Sequence, residues 1–253
     1  MVKAMRLLKN TKKIFLKISL CFFLIFNVYA VDEDFYDLDN ETPAVVVSDP
    51  LEPINRGLWE INLFLLENLG KPVIAGYNTI TTQGVRNSVT NFFYNLAMPF
   101  TIANYILQFD FTNAGKATHS FLINSTFGVL GLFDVADNNV KKSHLYVTLG
   151  KYGVPAGPYV MVPILGPNNL RGVFSDVVEF IFDPFGYNVT RLGYNIIEKK
   201  QITYIGYGMS FTSGLEQVNW IMEGYYDMIG SSFDSYNFIK DAHKQYQDNL
   251  IAK

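Results

Sequence analysis

Apolar residues dominate the chain beyond about residue 50, and the polar ones among them are sparse. Ile54–Leu69 reads as a helix. At about 100° per residue, Arg56, Glu60 and Glu67 fall within about 40° of one another, and nearly every other position is Leu, Ile, Phe or Trp59. A soluble surface helix shows a wider polar face, so this narrow charged stripe marks a helix that is deeply buried or faces lipid. The plainer account of Arg56 is an (i, i+4) pair with Glu60, worth a few tenths of a kcal/mol. Gly70-Lys71-Pro72 breaks the pattern, and a second helix is predicted over Val73–Ile80.

Val85–Phe109 is dense in aromatics and asparagine. Asn87, Asn91 and Asn95 recur every fourth residue and so share one side of a helix, with Phe92, Phe93 and Leu96 around them. Uncharged amides carry polarity at a lower burial cost than ions, which suits a wall meeting both water and hydrocarbon. A surface stripe with helix caps accounts for them equally. Pro99 is expected to end or kink this element, with Ala103–Gln108 restarting it. In Phe121–Leu132, Asn124, Ser125 and Thr126 interrupt an apolar face, and Gly128 and Gly131 permit close backbone approach. Residues 134–139 read as a turn, lacking the alternating ligands and central glycine of a calcium loop. Val173–Phe182 has helical spacing stopped by Asp183-Pro184. Ile197–Gln217 is a mixed polar helix or pair, and Gln217–Tyr246 has an aromatic density that fits an interfacial belt or a packing seam.

The segment that fits no regular pattern is Leu149–Pro167. Pro155, Pro158, Pro163 and Pro167 alternate with Gly150, Gly153, Gly157 and Gly166, yet the fill is Tyr152, Val154, Tyr159 to Val162, Ile164 and Leu165. Irregular backbone normally lies on a wet surface and is polar. An apolar version must be covered by protein or lipid, and in a bilayer it survives only when packed in protein or lining a cavity. A core crossing with a short strand at Tyr159–Val162 is the alternative.

Composition changes the picture mainly at the N-terminus. Residues 1–30 read as a secretory signal: a basic front (Lys3, Arg6, Lys9, Lys12, Lys13), a short apolar run and small residues before a cleavage point at Ala30. Residues 31–48 form a flexible acidic leader, and 49–253 a single domain. Cys21, the only cysteine, falls within the signal; its neighbours are unlike those of a lipidation site, and no intrachain disulfide is possible. The signal holds six of the 20 basic residues and none of the 23 acidic ones, leaving 14 against 23, a charge of −9. That balance argues against nucleic acid and against attachment to anionic lipid through a basic patch. A mean hydropathy of +0.12 with 16 Tyr and 21 Phe leaves membrane entry through apolar faces open. His119, His144 and His243 show no metal-ligand spacing, and no nucleophile elbow, phosphate loop or zinc-protease motif occurs. No enzyme activity, cofactor or metal is expected.

Ordered blocks along the chain resemble the MlaA/VacJ family of outer-membrane proteins. They are Asp49-Pro50-Leu51-Glu52-Pro53-Ile54-Asn55-Arg56, then Lys71-Pro72-Val73, VRNSVTNFFYNL (85–96) and FLINSTFGVLGLFDVA (121–136). LGKYGVPAGPY (149–159), Pro163-Ile164-Leu165-Gly166-Pro167 and Arg171 follow, with a fainter echo at Ser232–Gln245. Departures are Ser120 and Gly172, where the family usually has Arg and Asp, and the missing lipobox. The resemblance implies an all-α, ring-like bundle of amphipathic helices lying in the inner leaflet of the outer membrane, with the Gly/Pro-rich segment as an apolar hairpin. It implies a non-enzymatic conduit on the periplasmic side that clears misplaced phospholipid from the outer leaflet and hands it to a soluble periplasmic carrier, beside trimeric porins. From amphipathic placement, Asn91, Asn95, Asn124 and Thr126 are nominated as lining, and Tyr159 and Leu165 as a mobile lip. A soluble periplasmic lipid-binding or scaffold protein is the competing reading.

Overall fold

The computed structural model describes residues 47–136, 140–163, 165–182 and 232–252, with Thr212, Leu215, Ile229 and Gly230. The signal segment, the leader up to residue 46, the Asp183-Pro184 stop, Ile197–Gln217 apart from Thr212 and Leu215, and residues 217–228 and 231 of Gln217–Tyr246 fall outside them. The described chain is mostly helical, with one small sheet.

Helix α1 (Glu52–Leu65) opens with Pro53 in its first turn, where a missing N–H is harmless. Asp49, by residue type a good N-cap, does not cap it. Leu51 holds that place without a side-chain bond, and the Asp49 carboxylate is taken by Asn55 on one oxygen and by Tyr236 and Lys240 on the other. Nor does Gly70-Lys71-Pro72 break the helix. A π turn, Leu66–Gly70, carries it into α2 (Lys71–Ile80), the Lys71 amide donating to the Leu66 carbonyl five residues back. This wider turn makes room for the Pro72 ring, which an α ladder would exclude.

Helix α3 (Gln83–Leu107) contains Pro99, so of the expected end or kink the end does not occur. The proline is exposed, while Met98, Thr101, Asn104 and Tyr105 beside it are buried. Their packing outweighs one lost backbone bond. A tight corner at Phe109 (φ 59°) leads to α4 (Phe111–Thr126), capped by Asp110 through the Asn113 amide at 3.0 Å. The small residues Ala114, Ala117 and Ser120 let α4 lie close on α3, forming one core with Met98, Tyr105 and Val140.

Helix α5 (Leu145–Lys151) leads into the glycine-proline run. There β1 (Tyr159–Val162) pairs antiparallel with β2 (Gly166–Asn169), Tyr159 opposite Asn169 and Val162 opposite Gly166. The short strand is therefore real, and the fold is mostly rather than purely α. Helix α6 (Leu170–Phe182) follows β2 directly, and α7 (Ser235–Ala252) closes the described chain. Trp59, Val147, Tyr159, Met161, Ile239 and Tyr246 join α1, α5, β1 and α7 in the second core.

Candidate functional site

Helices α1 and α6 turn large apolar residues outward and polar ones inward. On α1 the buried face holds Asn55 (1% exposed) and Trp59, while Ile54 (60%), Ile61 and Phe64 (62%) face outward. On α6, Arg171, Ser175 and Glu179, spaced four apart, are buried, while Leu170, Phe174 and Val177 are each more than half exposed. Buried charged residues and an outward row of large apolar ones invert the usual partition. No helix among the described residues is long and apolar enough to cross a membrane.

The inward polar groups form built networks. At the start of α1, Asn55 Nδ2 donates to Asp49 Oδ1 (2.8 Å) and to the Tyr159 carbonyl (3.1 Å), and its Oδ1 accepts the Met161 amide (2.9 Å). One side chain thus pins β1 on two backbone groups. Asp49 also accepts from the Tyr236 hydroxyl and lies 3.5 Å from Lys240 Nζ, both on α7. Burial and the Asp49 carboxylate push the Tyr236 hydroxyl well above its ordinary range. Arg56 does not pair with Glu60. Its Nε donates to Glu52 (2.8 Å) and its two terminal nitrogens fork onto Asp234 (3.1 and 3.0 Å), with the guanidinium 4.5 Å from the centre of the Tyr236 ring. That fork, chiefly, lowers the Asp234 carboxyl below its usual value. Asn62 on α1 donates to the Val162 carbonyl (3.1 Å), and Trp59 Nε1 to Ser235 Oγ (3.0 Å).

A second network surrounds α5. Glu179 accepts the Leu145 amide and lies 3.4 Å from His144 Nδ1, so a carboxylate on α6 serves the open N-terminus of α5. Gln108 Nε2 donates to Ser143 Oγ (2.7 Å) and Thr148 Oγ1 (2.8 Å), and Thr148 donates in turn to Asn104 Oδ1 (2.8 Å). Asp176 accepts from Asn168 Nδ2 at 2.7 Å, tying α6 to β2, and burial pushes its carboxyl up to about 6. Arg171 Nη1 donates to the Val154 carbonyl (2.7 Å), its Nε is buried without a partner, and burial lowers its pKa. At the two departures from the family pattern, Ser120 is buried with its hydroxyl unpaired, and a side chain at Gly172 would meet Asn168 Oδ1 at 1.8 Å. No group of His, Cys, Asp and Glu among the described residues is arranged to hold a metal.

The nominated lining residues divide into two places. Asn95 on α3 and Asn124 on α4 both reach the loop after α4: Asn95 Nδ2 donates to Ser125 Oγ (2.9 Å) and the Leu130 carbonyl (3.4 Å), and Asn124 Nδ2 to Asp134 (2.9 Å). Asn91 is half-buried one turn before Asn95. Thr126 is exposed and bonds back to the Leu122 carbonyl of its own helix (2.7 Å). The hairpin carries the other two. Leu165 is half-buried in its turn. Tyr159 is 3% exposed, edge-on to Tyr236 at 6.1 Å, with its hydroxyl unpaired and its pKa raised by burial. The Tyr159 ring is packed into the core shared by α1, α5, β1 and α7. Of the family-motif residues, Asp49, Glu52, Asn55 and Arg56 make the α1 network, and Pro50 and Leu51 form the turn before it. Pro163, Gly166 (φ 88°) and Pro167 shape the hairpin. Nothing in the local spacing of His144, Glu179, Gln108 and Thr148 announces partners 34 to 44 residues away.

Comparison with known proteins points one way. The sequence pattern of the family described as MlaA lipoprotein matches residues 47–250. An uncharacterised protein of Rickettsia typhi is 31% identical over 248 residues, 94% of this chain and 96% of its own length. The intermembrane phospholipid transport system lipoprotein MlaA of Escherichia coli is 33% identical over 139 residues, 52% of this chain and 55% of its own. A structure solved in work on the maintenance of bacterial outer membrane lipid asymmetry superposes with a TM-score of 0.64 at 26% identity, covering 81% of this chain and 99% of that one.

Proposed function

Since the chain belongs to the MlaA lipoprotein family, we propose that it is a non-enzymatic phospholipid conduit of the bacterial outer membrane, held on the periplasmic side as a ring-like bundle. It removes misplaced phospholipid from the outer leaflet and passes it to a soluble periplasmic carrier, with trimeric porins as neighbours. The observation that carries this reading is the inversion of α1 and α6, whose apolar faces turn outward while Asn55, Arg171 and Glu179 turn in. Water penalises that arrangement, whereas an acyl-chain surround favours it.

The energetics fit the task. Drawing one acyl chain of about 16 carbons into water costs on the order of 10 kcal/mol at about 0.8 per CH₂. A conduit must cover tails and still solvate a charged head group. Amides such as Asn91, Asn95 and Asn124 beside apolar residues, with Thr126, Tyr159 and Leu165 as further wall, supply both kinds of surface without an ion.

The test is fractionation with lipid analysis. The mature chain is expected to travel with outer membranes and to co-purify with phospholipid. Replacing Asn91 and Asn95 by Leu is expected to let phospholipid accumulate in the outer leaflet. A chain that stays in the aqueous fraction after an alkaline wash overturns the proposal, in favour of a soluble lipid-binding protein if it carries lipid and of a scaffold protein if it carries none.

A further inference from the structure

Beyond α4 the chain forms an irregular loop, residues 127–136, that the conduit does not require. Phe127, Val129, Leu130, Phe133 and Val135 are each 51–73% exposed, and Asp134 is the only charge on the loop. Val129 and Leu130 adopt φ of 53° and 60°, a left-handed conformation that a branched residue rarely takes. Strain of this kind persists only where the surroundings impose it.

Those surroundings are polar and internal. The Phe127 and Gly128 amides donate to the Ile123 carbonyl, Leu130 to Ser125 (3.1 Å) and Gly131 to Asn124 (2.8 Å). Leu132 donates to the Val129 carbonyl and Phe133 to that of Gly128 (2.9 Å). Asn124 Oδ1 then takes both the Val135 and Ala136 amides, each at 2.9 Å. Val129 and Asp134 apart, every amide of the loop is donated within the protein. From beneath, Gly131 sits against Asn95, where a Cβ would come 2.3 Å from that of Asn95.

A loop in water has no need of this, because solvent satisfies its amides. Hydrocarbon imposes two separate demands, apolar side chains outside and a backbone that satisfies itself. The loop meets the first with five exposed apolar side chains and the second at every amide but those of Val129 and Asp134. We propose that residues 127–136 are a knob that inserts into the acyl-chain layer of a phospholipid leaflet without spanning it. The proposal rests on the membrane-seated reading above and adds a second point of entry, separate from the outward faces of α1 and α6. A protein groove would accept the same side chains, but it would also offer partners to the backbone and so would not require it to be closed.

The test uses the full chain with Cys21→Ser, carrying an environment-sensitive fluorophore on Leu130→Cys or Phe133→Cys. The protein is reconstituted into vesicles of phosphatidylethanolamine and phosphatidylglycerol. Ile61→Cys and Phe174→Cys serve as references for the helix faces; all four positions are exposed, so the label does not disturb a core. Labels at 130 and 133 are expected to be quenched several-fold more by lipids brominated in mid-chain than by iodide in the buffer, as at 61 and 174. Iodide quenching at 130 and 133 with lipid quenching at 61 and 174 overturns the knob and leaves the membrane-seated reading standing. Iodide quenching at all four sites overturns both. Shielding of 130 and 133 from both quenchers points to a protein surface over the loop and also overturns the proposal.

Discussion

Replacing Asn55 probes the joint between α1 and the hairpin most directly. Its amide makes three bonds, to the Asp49 carboxylate, the Tyr159 carbonyl and the Met161 amide, in a site 1% exposed. Asn55→Ala leaves two buried backbone groups unsatisfied and takes one donor from a buried carboxylate. At about 1–3 kcal/mol for each orphaned group, the loss is roughly 2–6 kcal/mol, a large part of the stability of an ordinary domain. Asn55→Asp is the sharper variant. It keeps the size and the acceptor for Met161, but loses both donors and sets a second carboxylate where Nδ2 now lies 2.8 Å from Asp49 Oδ1. Two adjacent buried carboxylates resist ionising together, so the new one has a raised pKa in the folded state. Its stability contribution is present at low pH and lost as pH rises through that value. Urea unfolding in detergent, followed by tryptophan fluorescence at pH 7.5 and pH 5, should show Asn55→Asp at least as damaging as Asn55→Ala at the higher pH and partly restored at the lower. An Asp variant as stable as the parent at pH 7.5, or one whose deficit grows on acidification, would refute the reasoning.

Two further predictions concern the inner polar groups. Burial raises the Asp176 carboxyl from its ordinary 3.8 to about 6, so the fold favours the protonated form, and stability is lost as pH rises from 3.8 through about 6. At about 1.4 kcal/mol per unit the cost above that range is at most about 3 kcal/mol. Asp176→Asn keeps an acceptor for Asn168, so it should stabilise by about 1–3 kcal/mol at pH 8 and by nothing at pH 4; an equal gain at both pH values, measured by thermal unfolding, counts against burial as the cause. Gly131→Ala meets Asn95 Cβ at 2.3 Å and holds φ at 92°, so it should cost more than about 2 kcal/mol from strain and overpacking together. Adding Asn95→Ala leaves that Cβ in place and should bring no recovery; recovery would show that the amide, not the Cβ, is the obstacle.

The parts of the structure set by neighbouring residues were legible in the sequence. The helical periodicity of Ile54–Leu69 and Val173–Phe182, the strand at Tyr159–Val162 and the close approach at Gly128 and Gly131 depend on local spacing, and all are present. What escaped depends on residues far along the chain. Asp49 looks like a helix cap until Tyr236 and Lys240 arrive from α7 to claim its carboxylate. Arg56 looks like a partner for Glu60 until Asp234 offers a two-pronged acceptor. Pro99 looks like a terminator because its own cost is visible, while the packing of Met98 and Tyr105 that offsets it is not. Periodicity also gives the direction of an apolar stripe without its sign. The asparagines mark a face, but only the three-dimensional arrangement says that Asn95 and Asn104 point in while Ile106 and Leu107 point out.

The π turn at Leu66–Gly70 has a consequence for which side of α2 is hidden. A straight continuation of α1, stepping inward from Asn55 and Trp59 every 3.6 residues or so, would bring Val73 to the protected side. The single extra residue in the turn rotates everything after it by about 100°. Ile74 is covered in its stead (5% exposed) and Val73 is left at the rim (40%). One rod therefore carries two facings without a joint, and the step between them resides in a one-residue miscount of the helical ladder.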